Sequence, residues 1–122
     1  VRVRASRGVQ VSDAARIERL SGGPVAESAA LHAPCPIDDL SGKAAIEAGL
    51  WAPLLAAFPD LERRTDILLE GAFKGGDWRA SCGWFVGTFA SDWLGIPATG
   101  RPAWLRYGWF DRVEGGVAQE SY

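Results

Sequence analysis

His32, Tyr107 and Asp111 are the side chains of this 122-residue chain whose types and settings suit proton transfer or the holding of a reacting carbonyl. His32 is the single histidine, and an ordinary imidazole titrates close enough to neutrality for acid–base work. Beside Pro34 it is either a surface or loop-packing residue or a lid residue that reaches a pocket. Tyr107, Trp109 and Asp111 alternate along one apolar run, so on a strand they share a face. A carboxylate buried between aromatics has a raised pKa and can act as a general base, in which case Asp111→Asn removes turnover with little effect on Tm. The nearness of Asp111 to Glu114-Gly115-Gly116 argues instead for a solvated structural role. A tyrosine hydroxyl at 107 either donates to a ligand carbonyl and stabilises an enolate, as aldol-type cyclisation requires, or is satisfied within the protein.

Other chemistry is disfavoured. Cys35 and Cys82 are far apart and belong to no CxxC pair, so neither zinc nor a disulfide framework is expected, and both read as reduced, largely buried thiols. With one histidine no metal site is expected, and no cofactor motif is present: Gly71, Gly75 and Gly76 lack the lysine and hydroxyl that follow a phosphate loop. A net charge of −2 gives no basic surface for nucleic acid or anionic membrane. No run of about 20 apolar residues spans a bilayer and no signal peptide is recognisable, which makes the cytoplasm the default compartment.

The elements that must position these groups follow from pattern. Ser12-Asp13 caps a short amphipathic helix carrying Ala14, Ala15, Ile17 and Leu20, stopped by Ser21-Gly22-Gly23-Pro24. Residues 1–11 have no clear period and read as an arm, an edge strand or a disordered segment. Two prolines within 31–42 predict an ordered loop. Ser41 then caps a second helix with Ile46, Leu50, Leu54 and Phe58 on one face and Trp51 alongside, kinked or restarted at Pro53 and ended at Pro59-Asp60. Beyond Arg63 the period changes to two, with a hairpin at Gly75-Gly76-Asp77, long strands over 78–89 and 102–113, a turn at Glu114-Gly115-Gly116 and a final strand. Helices first and a meander afterwards give a single α+β domain over 1–122. The absence of an initiator methionine and the stop at Tyr122, within a strand pattern, suggest an abbreviated chain whose missing ends would complete the pocket.

Cys82-Gly83-Trp84-Phe85-Val86-Gly87-Thr88-Phe89, then Trp93-Leu94-Gly95-Ile96-Pro97-Ala98-Thr99-Gly100-Arg101, then Arg106-Tyr107-Gly108-Trp109-Phe110, resembles the SnoaL-like polyketide cyclase branch of the nuclear-transport-factor-2-like superfamily. Trp51-Ala52-Pro53-Leu54, Ala57-Phe58-Pro59-Asp60-Leu61-Glu62-Arg63 and Gly116-x-x-x-Glu120 extend the resemblance over roughly the last two-thirds of the chain. It implies a cone-shaped α+β barrel, with N-terminal helices on a curved, mainly antiparallel sheet around one apolar pocket. The family's pocket histidine and acidic residue correspond here to Trp84 and Trp109, so an acid–base pair is replaced by an aromatic pair. A two-residue shift of the correspondence puts Asp111 in the acidic position.

With Trp84 and Trp109 facing the pocket, strand alternation brings Trp78, Ala80, Cys82, Val86 and Thr88 to the same side of one strand, and Leu105, Tyr107 and Asp111 to the same side of the next. Trp51 joins Trp84, Trp109, Trp78, Cys82, Val86 and Leu105 as the expected ligand-lining set, around candidate catalytic residues Asp111, Tyr107 and His32. Phe85, Phe89, Trp104, Arg106, Phe110 and Arg112 would then form an aromatic outer face that dimerises, as the resemblance implies. Two functions fit: binding, with cyclase- or isomerase-type chemistry, of a small hydrophobic cyclic or aromatic molecule, or a non-catalytic interaction domain whose cone is filled by its own side chains.

Overall fold

The computed structural model describes residues 8–122, with side chains from Asp13 onward. Helix α1 (Gly8–Ser21) begins four residues before the expected Ser12 cap, so the arm expected over 1–11 is described only from Gly8; residues 1–7 lie outside the described residues. Strand β1 (Val25–His32) follows, and the Pro-interrupted loop is shorter than expected because its ends pair: His32 opposes Asp39 and Ala30 opposes Ser41 of β2 (Asp39–Ser41). The second helix is capped by Gly42, not Ser41, and runs as α2 (Lys43–Ile46), a π-helical turn over Glu47–Trp51 and α3 (Ala52–Ala57). Pro53 stands in the first turn of α3, where a missing N–H costs nothing, so the restart expected at that proline takes the form of the π turn just before it.

Strands β3 (Glu62–Phe73), β4 (Gly76–Thr88), β5 (Pro102–Glu114) and β6 (Val117–Ser121) complete one six-stranded sheet in the order β2-β1-β6-β5-β4-β3. All neighbours are antiparallel except β1 and β6. The sheet is open, with β2 and β3 at its edges, so the α+β expectation holds while the barrel is not closed. Lys74 and Gly75 both have positive φ, as a two-residue hairpin matched to strand twist requires. Gly83 faces a register shift in β3 between Thr65 and Ile67, and a Cβ there would run into the Arg64 carbonyl. Only glycine lets the two backbones approach so closely.

The helices cover one face of the sheet. Leu50, Trp51, Leu54 and Phe58 meet Phe85, Phe89 and Tyr107 in a single core, with Leu105 and Trp109 packed against it. Rings fix the arrangement: Phe58 stacks on Phe89 at 4.9 Å, Trp51 on Trp109 at 6.0 Å, and Phe85 lies 4.8 Å from Tyr107.

Candidate functional site on the inner face

The inner, helix-covered face takes the odd-numbered residues of both long strands. On β5 this is the expected set, Leu105, Tyr107, Trp109 and Asp111. On β4 it is the opposite of the expected set: Ser81, Gly83, Phe85, Gly87 and Phe89 are buried. The register decides it, because Phe85 pairs with Leu105 and Trp84 with Arg106. Trp84, Trp78, Cys82 and Val86 therefore lie on the outer face, with Ala80 and Thr88, whereas Phe85 and Phe89, expected outside, are core. Trp84 packs edge-on against Trp104 and under the Arg106 guanidinium, 5.0 Å from its ring. Trp51 is 1 % exposed and is a core residue beneath Trp109.

Two polar networks sit where the end of α1 meets β3, β4 and β5. In the first, Arg63 Nε donates to the Tyr107 hydroxyl at 3.1 Å, and its two amino groups donate to the Leu20 carbonyl at 2.8 Å and Ser81 Oγ at 2.6 Å. The Tyr107 hydroxyl also shares a proton with Thr65 Oγ1 at 2.7 Å. Since the guanidinium can only donate, the phenol oxygen accepts from it, and its own proton is available to Thr65 or to a ligand. In the second network Asp111, 2 % exposed, is an acceptor for four hydrogen bonds. Trp109 Nε1 at 2.7 Å and Ser121 Oγ at 2.6 Å donate to Oδ1, and Arg79 donates to Oδ2 from its amino group at 2.9 Å and from Nε at 3.3 Å. Asp111 is thus buried and paired, not solvated, despite its nearness to the turn. Its carboxylate orients the Trp109 indole and anchors Arg79.

The networks open into a depression of about 340 Å3 lined by Arg19, Arg63, Thr65, Leu68, Arg79 and Ser81, among others. A second, of about 250 Å3, lies between α1 and α2 over Trp51. On the outer face a wider apolar groove of about 410 Å3 runs between Leu69, Phe73, Trp78, Ala80 and Phe110.

His32 joins neither network. It stands at the outer edge of β1, its Nε2 2.8 Å from Glu120 and its Nδ1 3.1 Å from Asp39, stacked on the Tyr122 ring at 4.6 Å. The hydrogen bonds to Glu120 first and Asp39 second hold its pKa above the ordinary 6.5. The same contact holds Glu120 below its usual value, and Glu120 in turn pushes the Tyr122 phenol up. Asp60 is held low by the backbone N–H and hydroxyl of Thr88, at 2.6 and 2.7 Å, tying the start of β3 to the end of β4. Cys35 is exposed, contrary to the expectation of burial, and Cys82 is half-buried beside Arg106. Among the described residues no three potential ligands are grouped to hold a metal ion, and no helix is long and apolar enough to cross a membrane.

Arg63, Arg79, Ser81 and Thr65 were not singled out from sequence. No local signal marks them: beyond Arg63 strand β3 is exposed at odd and even positions alike, and Arg79 and Ser81 meet their partners only through strand register.

No family model matches the chain, and no curated protein matches it in sequence. Solved structures do match in fold. IdmH of Streptomyces antibioticus, a candidate polyketide cyclase, superposes with a TM-score of 0.68 at 23 % identity, over 92 % of this chain and 81 % of that one. AclR of Streptomyces galilaeus, a candidate hydroxylase, gives 0.67 at 19 % identity over 94 % and 84 %. A candidate SnoaL-like polyketide cyclase of Jannaschia sp. CCS1 gives 0.64 at 14 % identity over 99 % and 88 %. The chain therefore has the SnoaL-like, nuclear-transport-factor-2-like fold.

Proposed function

We propose that this chain is a SnoaL-like protein that binds a small cyclic or aromatic molecule at the mouth of its inner face, with cyclase- or isomerase-type chemistry at a carbonyl of that molecule. The observation that carries this reading is that Arg63, Thr65 and Ser81 line one depression while the buried Tyr107 hydroxyl is hydrogen-bonded to two of them, Arg63 and Thr65, directly behind its wall. A hydroxyl polarised by a guanidinium is suited to donate toward an oxygen that gains charge as an enolate forms. The polyketide cyclase names borne by structures of the same fold agree with that chemistry. Tyr107 is the electrophilic group in this account, Arg63 its polarising neighbour and Asp111 a positioning residue that holds Trp109 and Arg79.

Titration with ring ketones and anthraquinone-like compounds, followed by tryptophan quenching and product analysis, tests it. Saturable binding with turnover lost in Tyr107→Phe but binding kept is the expected result. Unchanged turnover in Tyr107→Phe refutes the assigned role.

The second reading, an interaction domain, draws on the filling of the interior by Trp51 and on the exposed outer face, where Leu69, Phe73, Trp104 and Phe110 are each more than half exposed. For that face we propose a second copy of this chain as occupant. Arg64–Glu62 and Arg106–Asp66 place both signs of charge along it, which suits a two-fold, self-complementary contact.

A further inference from the structure

Arg63 is a half-buried cation that takes part in no ion pair among the described residues. Its three hydrogen-bond partners, Tyr107, Leu20 and Ser81, are neutral. The Leu20 carbonyl belongs to the C-terminal end of α1, whose partial charge of roughly −0.5 offsets only part of the guanidinium. The carboxylates that could neutralise it are committed elsewhere: Asp60 to Thr88, Glu62 to Arg64, Asp111 to Arg79. Glu70, on the rim of the same depression, is exposed and pairs with no cation among the described residues.

Two further cations face the same space. Arg19 is exposed and unpaired among the described residues, and Arg79 uses Nε and one amino group on Asp111, leaving the other amino group toward Gly23. Glycines at 22 and 23 make the room: a Cβ would come within 2.8 Å of the Arg63 amino group and 3.1 Å of that of Arg79. Leu68, 56 % exposed, gives the depression an apolar wall. Removing a cation from water without a counter-charge is costly, and a ligand carboxylate is the group that repays it, through bidentate hydrogen bonds to a guanidinium.

We infer that the mouth of the inner face is a carboxylate-binding site, in which Arg63, supported by Arg19 and the outward amino group of Arg79, takes the acid group of a ring-bearing ligand whose apolar part lies against Leu68. This rests on the inner-face reading above and narrows its ligand to a cyclic or aromatic acid.

The test follows the Arg63 Nε–H resonance by NMR at constant ionic strength, with benzoate and methyl benzoate as probes. Benzoate is expected to shift it saturably and the ester not at all. Dissociation constants, measured by isothermal titration calorimetry so that the readout survives substitution of Arg63, should rise at least tenfold in Arg63→Gln and about threefold in Arg19→Gln, an exposed position whose substitution leaves the fold intact if Arg63→Gln does not fold. Equal shifts from acid and ester, a linear unsaturable response, or wild-type benzoate affinity in Arg19→Gln together with Arg63→Lys would overturn the inference. A neutral ring ketone titrated in parallel separates the two claims. Ketone binding without benzoate binding removes the carboxylate site and keeps the inner-face reading; benzoate binding without any ring ketone binding does the reverse.

Discussion

Asp111→Asn is the substitution that most sharply separates an anchoring carboxylate from a catalytic base. It leaves the shape of the side chain but removes the charge from a group that is 2 % exposed and accepts four hydrogen bonds, and it turns one acceptor into a donor that must face Arg79 or the Trp109–Ser121 pair. Breaking a buried ion pair from one side costs about 3–5 kcal/mol. Arg79 retains 16 % side-chain exposure and can be partly hydrated, which favours the lower end. An unfolding entropy of roughly 2.1 cal/mol/K per residue makes about 3 kcal/mol equivalent to a fall of about 12 °C in Tm for a chain of this size. Circular-dichroism melts of Asp111→Asn, Arg79→Met and the double variant would measure it. The double variant should lose less than the sum of the singles, by about 1 kcal/mol or more. A Tm within about 2 °C of wild type, with turnover abolished, would refute the anchor and restore Asp111 as the base.

His32 gives a pH-dependent prediction. Its pKa is raised by Glu120 and Asp39, with Tyr122 stacked on the ring and Arg112 beyond Glu120, so its contribution to stability is full below about 6.5 and is lost as pH rises through the higher folded value. An NMR titration should place the His32 midpoint above 6.5 in wild type and lower in Glu120→Gln; a midpoint unmoved by that substitution contradicts the assignment. Gly83→Ala drives a methyl into the Arg64 carbonyl and should cost about 1–3 kcal/mol or more, whereas Gly71→Ala, with nothing within 4 Å of the added carbon, should not destabilise. Urea melts of the pair would show it, and equal effects would argue against the β3–β4 register. Trp51→Ala should lose about 3–5 kcal/mol, as a core aromatic does; a stable variant with weakened ligand binding would make Trp51 a wall of the pocket.

The course of the chain was largely legible because its signals are local. Gly22-Gly23-Pro24 ends α1, Gly115-Gly116 turn the second hairpin with positive φ, and Pro53 marks the restart of the second helix, whereas the first hairpin turns at Lys74-Gly75, one residue before the expected Gly75-Gly76-Asp77, because Gly76 and Asp77 already pair in β4. β1 and β2 were missed because their partners, β6 and each other, are set by pairing across the fold and not by any period of their own. The expected face of β4 rests on placing Trp84 at the family's pocket position; its even positions, Trp78, Ala80, Cys82, Trp84 and Val86, are also more apolar than Arg79, Ser81, Gly83, Phe85 and Gly87, so nothing local opposes that placement. The odd side faces inward because Gly83 and Gly87 yield space to β3 and Phe58, and because Arg79 and Ser81 complete networks begun on other strands. Asp111 and Tyr107 could be placed on one face by alternation, but their partners Arg63, Arg79 and Thr65 lie 30 to 45 residues away and become neighbours only through strand register.

The central claim is that ligand binds on the inner face, near Trp109, and not on the aromatic outer face. Six tryptophans carry six indole Nε1–H groups, and titrating 9-fluorenone into labelled protein while following their NMR resonances reads both faces at once. The account predicts a saturable shift at Trp109, whose Nε1 is held by Asp111, with Trp84 and Trp104 unmoved. Shifts confined to Trp78, Trp84 and Trp104 would place the ligand in the outer groove, and no saturable shift at any indole would make the inner face a filled core; either result contradicts the account.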